Sequence, residues 1–243
     1  MKAPSHSAEA EEESLKLVED FNTELMHALD SLHKKSVGLL DQYRFWSSKH
    51  LQRAVDGFAF LRRSGRVDGS KFLVRPALEM AFRLEAVRKH PDSFYRIEFS
   101  EHHRDEQLLQ EDAKRSERPY DDAQIKQKWK RFSDAFTKEF ADIPKVDKGL
   151  TIQCIAARAG MRRIYNDHYR IYCRYTHGAV LASTGDLDEA TDRADNRAMA
   201  TCALVTLDNL ISLGAKPSNR DRLVQRLSGM AEEPAPNALC RRA

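Results

Sequence analysis

The pattern of apolar positions is helical almost throughout. Leu73, Ala77, Met80, Leu84 and Val87 step by four, three, four and three residues, which draws one apolar stripe along a helix of about 70–90. Pro91 follows His90 and disfavours helical backbone before it, so the helix stops there. Leu15, Val18, Phe21, Leu25, Leu29 and Leu32 predict a helix over 8–33, opened by the acidic run "EAEEE" at its positive end. A second helix covers about 37–62 and ends before the turn "RSGRVDGS". Charged residues 92–118 predict a helix around 94–114, with Phe94, Ile97, Leu108 and Leu109 as its buried positions. Ile125, Trp129, Phe132, Phe136 and Phe140 mark another over 121–140.

"ADIPKVDKG", residues 141–149, reads as the main loop and a hinge. "LTIQCIAARA" is a short helix closed by Gly160, and the next runs over 161–177 to Gly178, which suits a left-handed C-cap. "STGDLDEATDRAD" offers caps and acidic residues for a helix over 187–213. Leu187, Ala190, Ala194, Ala198, Cys202 and Val205 form its seam. A short helix carries Leu223, Val224 and Leu227. The fold expected is all-α, a bundle of about seven to nine helices in one domain over 1–230, followed by a flexible tail over 231–243. Its core is expected from 15–32, 70–90, 121–140, 161–177 and 187–213.

Composition narrows the class. With 10 Gly, 8 Pro and no alternating β-branched runs, strands are not expected. Forty basic and 37 acidic side chains leave a net charge of +3, so any nucleic-acid site is a local patch rather than a global excess. No apolar run approaches the roughly 20 residues that span a membrane. The N-terminal stretch lacks the apolar segment of a signal peptide. Cys154, Cys173, Cys202 and Cys240 are widely spaced, which suits reduced thiols in a cytoplasmic protein.

Candidate chemistry gathers in "YRIYCRYTHG", residues 169–178. Seven residues are nearly two helical turns, so Arg163, Arg170 and His177 are expected along one line of a regular helix. Arg174 shares that side, while Tyr165, Tyr169 and Tyr172 step by four and three on another face. Neighbouring arginines disfavour a charged imidazole. A neutral histidine that moves a proton, beside a guanidinium that holds phosphate charge, is the equipment of a metal-free ribonuclease. The opposing reading is a packed helix end, with tyrosine and histidine tips satisfied by neighbours.

On 70–90, Arg75, Glu79 and Arg83 are spaced by four. They are either a solvated charged face or a partly buried set turned toward the tyrosine helix, with Arg75 or Glu79 orienting His177. Glu98, His102 and Glu106 also step by four, and Cys173 lies one turn before His177. Both patterns are generic, and no metal or other cofactor is assigned.

Two resemblances follow from these residues. "FLVRPALEMAFRLEAVRKHPDSFY" resembles the first signature of a large family of bacterial helical proteins of unknown function, an R-P-x-L-E helix with a Pro-Asp turn. "AARAGMRRIYNDHYRIYCRYTHG" resembles its second, carried here by Gly160, Tyr165, Tyr169, Arg170, His177 and Gly178. That family commonly has a serine four before the histidine, where this chain has Cys173. More distantly, Arg170 and His177 enclose six residues, as in the R-x(4–6)-H pattern of HEPN ribonucleases, although Ile171 stands where that group prefers a polar residue.

The HEPN likeness implies a metal-independent endoribonuclease of toxin or phage-defence type, active as a homodimer on RNA. Arg170 and His177 would be catalytic, supported by Arg75, Glu79, Tyr169 and Arg174. The alternative is a non-enzymatic helical module that binds a protein or small ligand.

Overall fold

The computed structural model describes residues 6–32, 38–117, 119–176 and 189–230. Helix α1 (His6–Leu32) buries Leu15, Val18, Phe21, Leu25, Leu29 and Leu32, the stripe read from the sequence, and Leu17 beside it. Helix α2 (Leu39–Arg63) turns back through a left-handed glycine. Gly65 has φ 70, its N–H reaches the Arg62 carbonyl, and the Arg66 N–H reaches that of Leu61. This double closure satisfies carbonyls that the helix end leaves open and costs no Cβ clash at glycine. Helix α3 (Val67–Lys89) then runs antiparallel to α2. Pro76 lies within it on the solvent side, where a missing donor can be replaced by water.

After α4 (Asp92–Arg115), α5 (Ala123–Glu139) and the short α6 (Ile152–Arg158), the chain passes through α7 (Arg162–Ile164), a π-helical turn (Tyr165–Tyr169) and α8 (Arg170–Thr176). Helices α9 (Glu189–Ser212) and α10 (Arg220–Gly229) complete the described residues. With the run through the π-turn counted as one helix, these are nine helices and no strand, so the all-α bundle is as expected.

The core is a four-helix bundle of α1, α2, α3 and α9. α9 packs on all three others. Its buried set (Asp195, Asn196, Ala198, Met199, Cys202, Thr206, Leu207, Asn209) therefore runs around most of its girth instead of along one stripe. Its alanines allow close approach, and two of its buried polar groups meet partners on other helices. Asn196 donates to Ser14 Oγ at 2.8 Å, and Arg44 donates to Asn209 at 2.7 Å.

Two expectations about the core change. α2, absent from the expected core helices, contributes Leu51, Val55 and Phe58 to it. α5, expected within the core, lies at its edge and buries Phe136 alone. Its aromatic stripe packs instead on Phe94, Tyr95 and Phe99 of α4, with Phe94–Phe132 at 5.3 Å and Tyr95–Phe136 at 5.0 Å between ring centroids. Glu139 at the end of α5 accepts the Leu39 N–H at 2.7 Å and so caps α2 from a distant part of the chain. The loop 141–149 is held along α4: Tyr95 donates to Asp147 at 2.8 Å, and Arg96 to the Lys148 carbonyl at 3.0 Å. The tail 231–243 lies outside the described residues.

Candidate functional site

Gly160 starts the candidate region. At φ 73 it closes α6, with its own N–H on the Ala157 carbonyl and the Met161 N–H on that of Ala156. Lys89 donates to the adjoining Ala159 carbonyl at 2.8 Å and ties this corner to the end of α3. The chain then enters α7 and the π-turn.

The π-turn admits one residue more than an α-helix would over the same length. It falls between Arg163 and Arg170, so the regular line expected for Arg163, Arg170 and His177 is broken at its first step. Both arginines still reach solvent: Arg163 is 92% exposed and ion-pairs with Asp167 at 3.4 Å, and Arg170 is exposed. The tyrosines turn inward. Tyr165 and Tyr169 stack at 5.2 Å and 20°, and Tyr169 sits on Phe82 of α3 at 5.8 Å.

Two carboxylates hold this inner face. The Tyr169 hydroxyl donates to Glu79 at 3.4 Å, and Arg75 lies over the Tyr169 ring at 5.8 Å. Burial pushes the Tyr169 phenol up to about 12, against the opposing pull of Arg75, and Glu79 pushes the same way as burial. Glu79 also pairs with Arg83 at 3.0 Å, and Arg83 with Glu101 at 2.7 Å. Arg75, Glu79 and Tyr169 are thus brought together, as a partly buried set facing the tyrosine helix. His177 lies outside the described residues, as does the side chain of Arg174.

One turn further on, the Tyr172 hydroxyl donates to Asp195 of α9. Asp195 is fully buried and meets Arg62 of α2 at 2.6 Å. Arg62 also pairs with Asp192 at 3.0 Å, and Lys71 of α3 reaches Asp192 at 3.4 Å. Arg62, Lys71, Asp192, Asp195 and Tyr172 therefore join four helices through a buried, charge-balanced network. Sequence reading missed it, since Arg62 and Asp195 are 133 positions apart. The available signal was the "TDRADN" stretch itself, where Asp192 and Asp195 flank Ala194 of the expected apolar seam.

His168 was also missed. It sits in the π-turn with Nδ1 buried and without a hydrogen-bond partner. Burial first, then Arg197, lowers its pKa, which disfavours the charged ring.

Burial lifts Asp195 to about 6, against the pull of Arg62, Tyr172 and Lys71. The sign follows from linkage. A carboxyl whose folded pKa is raised binds its proton more tightly in the folded state, so its contribution is largest at acid pH and is lost as pH rises through about 6. Wild type is therefore expected to gain stability relative to Asp195→Asn between about pH 7 and pH 4, by on the order of 1–3 kcal/mol. Denaturant titrations of both proteins across that range check this; parallel curves would refute it.

His102 stacks flat on Trp129 at 4.9 Å and 7°, and burial lowers its pKa. Its neighbour Glu98 is raised by burial. Among the described residues no group of three or more His, Cys, Asp or Glu is gathered as a metal site. Cys154 is exposed, Cys173 half-buried and Cys202 buried. No helix among the described residues is long and apolar enough to cross a membrane.

No curated protein and no solved structure matches this chain. A protein-family comparison does match, over residues 49–195, more than half of the sequence. The matched span runs from within α2 to Asp195 and takes in Arg62, Arg75, Glu79, Tyr169, Arg170 and Tyr172. The chain belongs to DUF5677, a family of unknown function.

Proposed function

We propose that this protein is a metal-independent endoribonuclease of HEPN-like chemistry that cuts single-stranded RNA. One observation carries the reading. Arg170 faces solvent on a helix whose inner face is held by two tyrosine–carboxylate bonds, Tyr169–Glu79 and Tyr172–Asp195. A cation held on a fixed support is preorganised for a charged phosphate, which is what transition-state stabilisation requires.

In this mechanism His177 takes the proton from a ribose 2′-hydroxyl, and the oxygen attacks the adjacent phosphorus. Arg170 holds the charge that develops on the non-bridging oxygens. The bond from phosphorus to the 5′-oxygen breaks, and that oxygen leaves with the proton that His177 took from the 2′-hydroxyl. The products are a 2′,3′-cyclic phosphate and a 5′-hydroxyl. His177 enters from its spacing to Arg170 in the sequence. The reading sets the enzyme in the cytoplasm, where the exposed Cys154 stays a thiol.

The test is cleavage of labelled single-stranded RNA with chelator present. Arg170→Ala is expected to lower the rate by about 10²–10³. Its unfolding midpoint should stay within about 0.5 kcal/mol of wild type, since the side chain is exposed. Equal cleavage by both proteins would remove Arg170 from the mechanism.

A second reading also has an observation in its favour. The phenols of Tyr169 and Tyr172 are already engaged by Glu79 and Asp195, as they would be in a helix that serves packing alone. Under that reading the protein binds a partner and turns nothing over.

A further inference from the structure

The solvent crest of α2 carries side chains that the packing of the bundle does not use. Phe60 is 66% exposed and Trp46 53%, and Phe72 on the adjoining α3 is 55% exposed. These are large apolar rings held out in water, where a soluble bundle would be expected to place polar residues. Trp46, Arg53 and Phe60 stand seven residues apart, so they fall on one line along α2. Trp46 and Phe60 are separated by about 21 Å at the helical rise of 1.5 Å per residue.

Cations are interleaved with the rings. Lys49 Nζ lies 5.1 Å from the centre of the Trp46 ring. Arg53 is exposed beside it, and Arg66 is exposed at the α2–α3 turn. Neither Lys49, Arg53 nor Arg66 makes an ion pair among the described residues. One turn beyond Phe72 on α3 is Arg75, which lies over the ring of Tyr169, the residue before Arg170. Through α3, which packs on both α2 and α8, the crest adjoins the helix that carries Arg170.

We infer that the α2–α3 crest is a platform for single-stranded RNA, with Trp46, Phe60 and Phe72 stacking on bases while Lys49 and Arg53 follow the phosphates. This rests on the ribonuclease reading and names how its substrate is held. Exposed aromatic rings interleaved with cations suit a polyanion whose every unit has a flat apolar face. A second copy of this chain fits less well. An isologous contact would set the crest against itself and gather the Lys49 and Arg53 charges of both copies into one interface.

The experiment measures binding of a labelled 2′-O-methyl oligouridylate, which the proposed chemistry cannot cut, by fluorescence anisotropy with chelator present. Phe60→Ala with Phe72→Ala is expected to weaken binding about 100-fold, near tenfold for each lost stack. Both rings are exposed, so the unfolding midpoint should hold. Arg53→Ala is expected to weaken binding and to lower the slope of log Kd against log salt by about one. Failure of wild type to bind would overturn the inference, as would equal binding by the double phenylalanine variant. Sedimentation showing a wild-type dimer that the double variant turns into monomer would also overturn it, in favour of a protein interface. Ring-dependent binding without cleavage of the unmodified RNA would uphold the platform and sink the ribonuclease reading, so the two failures are distinguishable.

Discussion

Arg62→Ala is expected to lose about 3–5 kcal/mol of stability at neutral pH, read by urea or guanidinium unfolding. Arg62 is almost wholly buried and pairs with two carboxylates of α9, Asp195 at 2.6 Å and Asp192 at 3.0 Å. Glu11 of α1 stands 4.0 Å away. Removing the guanidinium leaves both aspartates in the interior with Lys71 as their remaining cation. The penalty is that of an uncompensated buried charge, which exceeds the net value of the pair itself.

Two controls follow. Arg63, the next residue, pairs with Glu12 at 2.7 Å and Glu19 at 2.6 Å on the surface. Arg63→Ala is expected to cost no more than about 1 kcal/mol despite that good geometry. Adding Asp195→Asn to Arg62→Ala should recover part of the loss, because an amide needs no counter-charge but still accepts the Tyr172 hydroxyl. That recovery is a coupling energy between the two sites. Losses that simply add would mean Arg62 and Asp195 do not act as a unit.

His177→Ala is expected to lower the rate of chelator-resistant RNA cleavage by about 10²–10⁴, the range for loss of a positioned acid or base. In the proposed mechanism Arg170 stabilises charge and His177 moves a proton, so the two variants should differ in pH behaviour. Arg170→Ala keeps the pH profile of wild type at a lower level. His177→Ala flattens the limb that titrates with the imidazole. A rate lost together with several kcal/mol of stability would instead mark the segment 169–178 as a packed helix end.

The apolar stripes gave the helices within a few residues, because core-facing side chains must recur every three or four positions. The contact of Arg75 and Glu79 with Tyr169 was legible only as one of two readings of charges spaced by four, the other being a solvated face. Three features were not. α2 was left out of the expected core and α5 put into it because periodicity does not tell which partner an apolar face meets. The π-turn at Tyr165–Tyr169 leaves no compositional mark, so Arg163 and Arg170 were set on one line that the backbone breaks. The Arg62–Asp195 network joins residues that only the tertiary fold brings together. Charged residues on α2 and α9 read as surface until their burial is known.

The most direct test of the central claim is the chemistry of the cut ends. Purified protein is incubated with RNA in chelator, beside the same oligonucleotide carrying a 2′-deoxyribose at the cleaved position, and the products are analysed by mass spectrometry. The account predicts 2′,3′-cyclic phosphate and 5′-hydroxyl ends from RNA, no product from the deoxy substrate, and loss of both ends in folded His177→Ala. Cleavage of the deoxy substrate, 5′-phosphate ends, or no cleavage by wild type would contradict it.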